Sequence, residues 1–149
     1  MESQFNSNMG SGSNQTQISA ALASSAARGA ILLVEDDKVL RRYLEVLLRR
    51  AGYTVLAAAD GLEAIKIAFS SNIAGVVTDA IMPRLGGHEL CRILRSRAEL
   101  AHVPIVMLSG VVRDDAATDC RTPADAQLTK PVRADELIDC LDRLLARAA

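Results

Sequence analysis

The sequence predicts an α/β fold, a three-layer sandwich of five parallel strands alternating with helices. Short apolar runs of strand length recur between stretches of helical periodicity, the alternation expected of βα units around a parallel sheet. Four of those runs also end in polar residues. Ile31 to Val34 runs into Glu35, Asp36 and Asp37, Val76 to Thr78 into Asp79, Ile105 to Leu108 into Ser109, and Leu128 with Thr129 into Lys130-Pro131. Parallel strands bring their carboxyl ends to one edge, where open α/β sheets bind ligands, so these polar residues are expected to share one crevice.

Residues 1–28 are Ser, Asn, Gln, Ala and Gly with almost no charge, a composition that cannot bury enough surface to order itself, and are expected to form a flexible tail. A short helix over Ile18 to Ala27 would be marginal in isolation. Strands are expected near 30–35, 53–58, 73–78, 104–109 and 125–129. Leu40, Leu44, Leu47, Leu48 and Ala51 form the stripe of a first helix, stopped by Gly52. Asp60-Gly61 signals a turn before a helix over 62–70, and Leu90, Ile93 and Leu94 mark one over 87–97. A helix over 112–120 is the least patterned. Leu137, Leu141, Leu144, Leu145 and Ala148 repeat the spacing of the first stripe in the last helix. Right-handed connections would close these units into one domain over 29–149.

Composition narrows the function classes. The chain of 149 residues suits one domain with a self-supporting core, and 3% aromatic residues make that core aliphatic. A net charge of −1 does not advertise a nucleic-acid partner. Cys91, Cys120 and Cys140 lack metal-ligand spacing and read as reduced thiols, so a cytoplasmic location is expected. The amino terminus lacks the basic and strongly apolar regions of a secretory signal, and no apolar run is long enough to predict membrane insertion.

Three adjacent carboxylates at a strand end repel one another unless a cation sits among them. Mg²⁺, which prefers one or two carboxylates, waters and phosphate oxygens, would suit Glu35, Asp36 and Asp79. A solvated acidic loop explains the triplet equally well on its own. Asp79 is more pointed, because a carboxylate at a strand-to-loop junction, facing a phosphoryl group, can attack it and form an acyl phosphate. The Ser109 hydroxyl and the Lys130 ammonium are candidates to stabilise the charge on the phosphoryl oxygens. Each alone is ordinary, a strand-end cap and a surface charge. Their joint placement is what points to phosphoryl chemistry.

On these residues the chain resembles the receiver domain of two-component response regulators. The motifs are Leu32-Leu33-Val34-Glu35-Asp36-Asp37, Asp79-Ala80-Ile81-Met82-Pro83, Ser109-Gly110 and Lys130-Pro131, with Asp60-Gly61 and Gly87 also in place. The resemblance implies a flavodoxin-like, five-stranded parallel sheet in the order 2-1-3-4-5 flanked by helices. It implies Asp79 as the phosphoacceptor, Asp36 and Asp79 as direct Mg²⁺ ligands, Glu35 as a ligand directly or through water, and the backbone carbonyl of Ile81 as a further one. Ser109 takes the place of the switch hydroxyl, Lys130 that of the phosphate-contacting lysine, and the Lys130-Pro131 bond is expected to be cis. Asp37 is expected to cap the first helix.

Two features of this chain qualify the resemblance. Gln127 stands where the family usually has Tyr or Phe, three residues before the lysine, so either it relays by a hydrogen bond or the face of the last helices responds weakly. Ile81 and Val111, two residues after Asp79 and Ser109, are apolar and unable to hold an attacking water, which predicts a long-lived acyl phosphate.

The implied partners are a histidine kinase or histidine phosphotransfer protein docking near the first helix, and an unknown downstream protein target. Val39 and Tyr43 are candidate docking contacts, though residues beside a core stripe usually pack as peripheral core. Arg41, Arg42, Arg49 and Arg50 are expected to form a solvated face, with Glu45 as partner of Arg41 and Arg49. With no room for an output domain after the last helix, a single-domain regulator is expected. The alternatives are a receiver fragment of a hybrid histidine kinase or a non-phosphorylated receiver-like interaction module. An aspartate-nucleophile phosphatase would want an acid where Ile81 stands, and a flavin-binding fold would not place three carboxylates after its first strand.

Overall fold

The structure, a computed structural model, describes residues 28–110 and 123–148. The expected tail over 1–28, apart from Arg28, and the expected helix over 112–120 lie outside the described residues. Among these, the chain runs β1 (Ala30–Val34), α1 (Lys38–Arg50), β2 (Thr54–Ala58), α2 (Gly61–Ser70), β3 (Gly75–Asp79), α3 (Gly87–Ser96), β4 (Ile105–Ser109), β5 (Ala126–Thr129) and α4 (Ala134–Ala148). The five strands form one sheet in the order β2-β1-β3-β4-β5, parallel throughout. The α/β sandwich and its strand order are as expected.

Side-chain alternation along the strands sorts the core into two layers. Leu32, Val34, Val76, Ile105 and Met107 point to one face and pack with Ala64, Ala68, Leu90 and Leu94 of α2 and α3. Ile31, Leu33, Val77, Val106 and Leu108 point to the other, against Leu44 and Leu48 of α1 and Leu137 and Leu141 of α4. All five residues of β3 are buried, so the strand that ends in Asp79 is the rigid centre of the sheet.

Local chemistry sets the ends. The Asp37 carboxylate accepts from the amides of Val39 and Leu40, which makes it the N-cap of α1. Asp60 caps α2 by accepting from the Glu63 amide, while the Glu63 carboxylate reaches back to the Ala59 amide. Strand boundaries move from expectation for identifiable reasons. The Tyr53 amide bonds back to Leu48 and so belongs to the helix end rather than to β2. Pro104 has no amide to offer the ladder, and β4 starts at Ile105. The third strand runs through Asp79, not to 78, because Asp79 stays in register with Leu108.

Two expectations about α1 are corrected. Val39 is 80% exposed and Tyr43 53%, so they are not peripheral core. Nor does Arg41 belong to the solvated ion-paired face: its guanidinium turns inward and donates to the Glu35 carbonyl at 2.8 Å. Glu45 instead pairs with Arg49 at 2.8 Å and Arg42 at 3.6 Å.

Candidate phosphoryl-transfer site

At the carboxyl edge of the sheet, β1, β3 and β5 deliver Glu35, Asp79 and Lys130 to one crevice. The Lys130 Nζ lies 2.9 Å from Asp79 Oδ2 and 3.1 Å from Glu35 Oε2, so a lysine that follows β5 bridges the ends of β3 and β1. Glu35 is 1% exposed, so its charge is tolerable only because it is paired and hydrogen-bonded. Its other oxygen accepts from the Asp37 amide at 3.1 Å. Burial pushes the Glu35 carboxyl above its ordinary range, against the opposing hydrogen bonds from Lys130 and Asp37, and the nearby charge of Asp79 adds to the rise. Burial alone would lower the Lys130 ammonium, but bonding first to Asp79 and then to Glu35 reverses this and holds it above its usual value, firmly protonated.

Asp36 is exposed at the rim. Carboxylate oxygens of Glu35, Asp36 and Asp79 all lie within 4.8 Å of one another, a set of hard oxygen donors of the kind a small divalent cation takes. Ser109 closes β4 beside this group, and its carbonyl accepts from the Lys130 amide at 2.8 Å, so the two strand ends are tied. The Lys130-Pro131 bond is cis. Ile81 is 80% exposed in the loop after Asp79. Gln127 is exposed on the edge strand β5, in register with Met107.

Three contacts here were not read from the sequence. Arg41 anchors the carbonyl of Glu35, as above; its place six residues on was the only signal. The buried Thr78 hydroxyl donates to the Asp79 carbonyl at 3.1 Å. That same carbonyl packs against Gly87 at the start of α3, where a Cβ would come within 2.1 Å of it. The Gly87 amide donates to the Ala80 carbonyl at 2.9 Å, fixing the helix to the loop that follows Asp79.

A family model, the response regulator receiver domain, matches residues 31–142. The chain belongs to this family. Protein PilG of Pseudomonas aeruginosa is 30% identical over 114 residues, covering 74% of this chain and 83% of that protein. Response regulator MprA of Mycobacterium ulcerans is 38% identical over 120 residues, covering 78% of this chain and 50% of that protein. The receiver thus spans about half the length of MprA. Among solved structures, the receiver domain of a Francisella response regulator superimposes with a TM-score of 0.74 at 29% identity, covering 81% of this chain and 99% of that one. The receiver domain of a sensor histidine kinase from Pseudomonas aeruginosa, solved with a magnesium ion coordinated in its active-site cleft, gives a TM-score of 0.73 at 30% identity, covering 79% of this chain and 98% of that one. No helix among the described residues of this receiver is long and apolar enough to cross a membrane.

Proposed function

We propose that this receiver is a cytoplasmic phosphoacceptor that takes a phosphoryl group onto Asp79 from a histidine kinase or histidine phosphotransfer protein and signals by protein contact or by passing the group on. The observation that carries this is the Lys130 ammonium held between Asp79 and Glu35, with Asp36 alongside. A carboxylate oxygen of Asp79 attacks phosphorus as the bond to the donor's imidazole nitrogen breaks. The imidazole departs with the electron pair, and the product is an acyl phosphate. Lys130 is already bound to the nucleophile and follows the charge onto the phosphoryl oxygens, with the Ser109 hydroxyl donating to a second. The chain catalyses its own phosphorylation and dephosphorylation and acts on no separate substrate.

The three carboxylates of Glu35, Asp36 and Asp79 fit Mg²⁺ as protein ligands, and the family resemblance adds the backbone carbonyl of Ile81. When bound, the ion supplies the positive charge that lets a phosphoryl dianion enter a crevice of carboxylates. The exposed Val39 and Tyr43, one turn apart on α1 and just past the crevice, suit the docking face of a protein donor. The exposed apolar Ile81 offers no hydrogen bond to an attacking water, which supports a long-lived acyl phosphate.

Intact-mass spectrometry with acetyl phosphate and Mg²⁺ tests this reading. One phosphoryl mass is expected, absent from Asp79→Asn and on Mg²⁺ removal, and decaying faster in Ile81→Asn. No adduct with acetyl phosphate or with a panel of phosphorylated histidine kinases would favour a receiver-like interaction module instead.

A further inference from the structure

We propose that Arg41 is a positioning residue for the acidic site: its guanidinium fixes the peptide between Glu35 and Asp36 and so aims the Asp36 carboxylate for a divalent cation. The role rests on the reading of Glu35, Asp36 and Asp79 as a Mg²⁺ site given above. Arg41 acts through the peptide and needs no contact with the cation.

The place of Arg41 in the sequence makes the reach possible. It lies one helical turn after Asp37, the N-cap of α1, and its amide donates to the Asp37 carbonyl at 2.8 Å. Side chains on a helix tilt toward its amino end, so a long one at this position runs back over the first turn toward the end of β1. There the Arg41 Nη1 donates to the Glu35 carbonyl at 2.8 Å. Arg41 is therefore bonded on both sides of Asp36, through its backbone to residue 37 and through its side chain to residue 35.

The neighbours of Asp36 are held at other points too. The Glu35 amide donates to the Ala58 carbonyl at 3.1 Å, its carboxylate takes Lys130 and the Asp37 amide, and the Asp37 carboxylate takes the amides of Val39 and Leu40. Asp36 itself is exposed, and the peptide plane before it sets the direction of its side chain. The Glu35 carbonyl belongs to that rigid plane, so holding the oxygen holds the plane.

A role through charge would have the opposite sign. A guanidinium near three carboxylates offsets their repulsion, but it also opposes a second cation arriving among them. Removing the charge alone should tighten cation binding, whereas releasing the peptide should weaken it. Among the described residues Arg41 forms no ion pair, although Glu45, one turn on, pairs with Arg42 and Arg49. Its guanidinium goes instead to a backbone oxygen, the acceptor that a positioning role requires.

Calorimetric titration of the full-length protein with Mg²⁺ tests the proposal. Arg41→Met keeps an aliphatic stem and removes the donors, and is expected to raise the Mg²⁺ dissociation constant about tenfold, the lower range for losing a group that orients a metal ligand. Arg41→Lys keeps the charge and a donor without the planar fork, and should raise it less. Arg95→Met, which removes an arginine bonded to the carbonyls of Val103 and Pro123, controls for lost stability and should bind as wild type does. In acetyl phosphate labelling, the Mg²⁺ concentration giving half the maximal rate should rise by the same factor in Arg41→Met, with the rate at saturating Mg²⁺ close to that of wild type. Binding as tight as wild type, or tighter, in both Arg41 variants would overturn the role and leave the site reading standing. Equal weakening in Arg95→Met would also overturn it, by reducing the effect to general stability. A wild type that takes no Mg²⁺ would overturn the site reading and the role together.

Discussion

At the carboxyl edge of the sheet, Glu35 and Asp79 share one ammonium, Lys130, with the Asp36 carboxylate alongside; at the amino edge, Asp142 is shared by the Arg28 guanidinium and the Tyr53 hydroxyl. The same kinds of group are assembled to opposite ends. The first cluster has more negative charge than its partners neutralise and buries part of that excess in Glu35. The second is balanced, every member supplying what another lacks. Negative charge left over after pairing is what a cation can use, and natural sites hold such imbalance at a cost in stability. The balanced edge has no such surplus and serves as a clasp between the chain just before β1 and the last helix.

The largest break in that comparison should come from the two cations. Lys130→Met is expected to slow phosphorylation by acetyl phosphate about 100-fold, the scale of losing one preorganised charge-stabilising group, while Arg28→Met leaves the rate unchanged. Equal slowing by both, read from the mass time course, would mean that the edges are not functionally separate. Neutralising one carboxylate at each edge gives smaller effects of opposite sign. Without Mg²⁺, Asp79→Asn is expected to raise the unfolding free energy by about 1 kcal/mol by relieving like-charge repulsion, and Asp142→Asn to lower it by about 1 kcal/mol by weakening two contacts. Denaturant melts in chelator check the signs, and saturating Mg²⁺ should stabilise the wild type and not Asp79→Asn.

The finest test uses pH. Burial, and then the hydrogen bond to Asp142, push the Tyr53 hydroxyl up to about 12. A group whose folded value exceeds its unfolded one contributes stability that is fully present below the unfolded value, about 10 for tyrosine, and lost as pH rises through the folded one. Tyr53→Phe should therefore be less stable than wild type at neutral pH, and the gap should close between pH 10 and 12. A gap constant across that window would show that the hydroxyl is not what the clasp depends on.

The contrast between the edges also governs what the sequence discloses. The carboxyl edge was legible because a parallel sheet gathers the ends of its strands, so Glu35, Asp79, Ser109 and Lys130 are each marked by the apolar run before them. The clasp was not, since Tyr53 and Arg28 lie 89 and 114 positions from Asp142 and no period or motif connects them. The same holds for Arg95, which donates to the carbonyls of Ala101, Val103 and Pro123 and to the Asp125 carboxylate, stapling the entries to β4 and β5. On α1 the difficulty was one of angle. Val39 and Tyr43 sit beside the stripe formed by Leu40, Leu44 and Leu48, and whether such neighbours pack depends on how a helix lies on its sheet. Arg41 shows the converse, a residue assigned to solvent because its one acceptor is a backbone oxygen that sequence pattern does not display.

Gly87 gives the site a mechanical property. Because a single methyl there would collide with the carbonyl of Asp79, the first turn of α3 and the end of β3 abut backbone to backbone with no compliant side chain between them. Such a joint transmits displacement without slack. A displacement of the first turn of α3 therefore reaches Asp79 directly, and a displacement of Asp79 reaches α3 by the same route. If Asp79 takes a phosphoryl group as proposed, Gly87→Ala is expected to impair that step although position 87 has no side chain with which to take part.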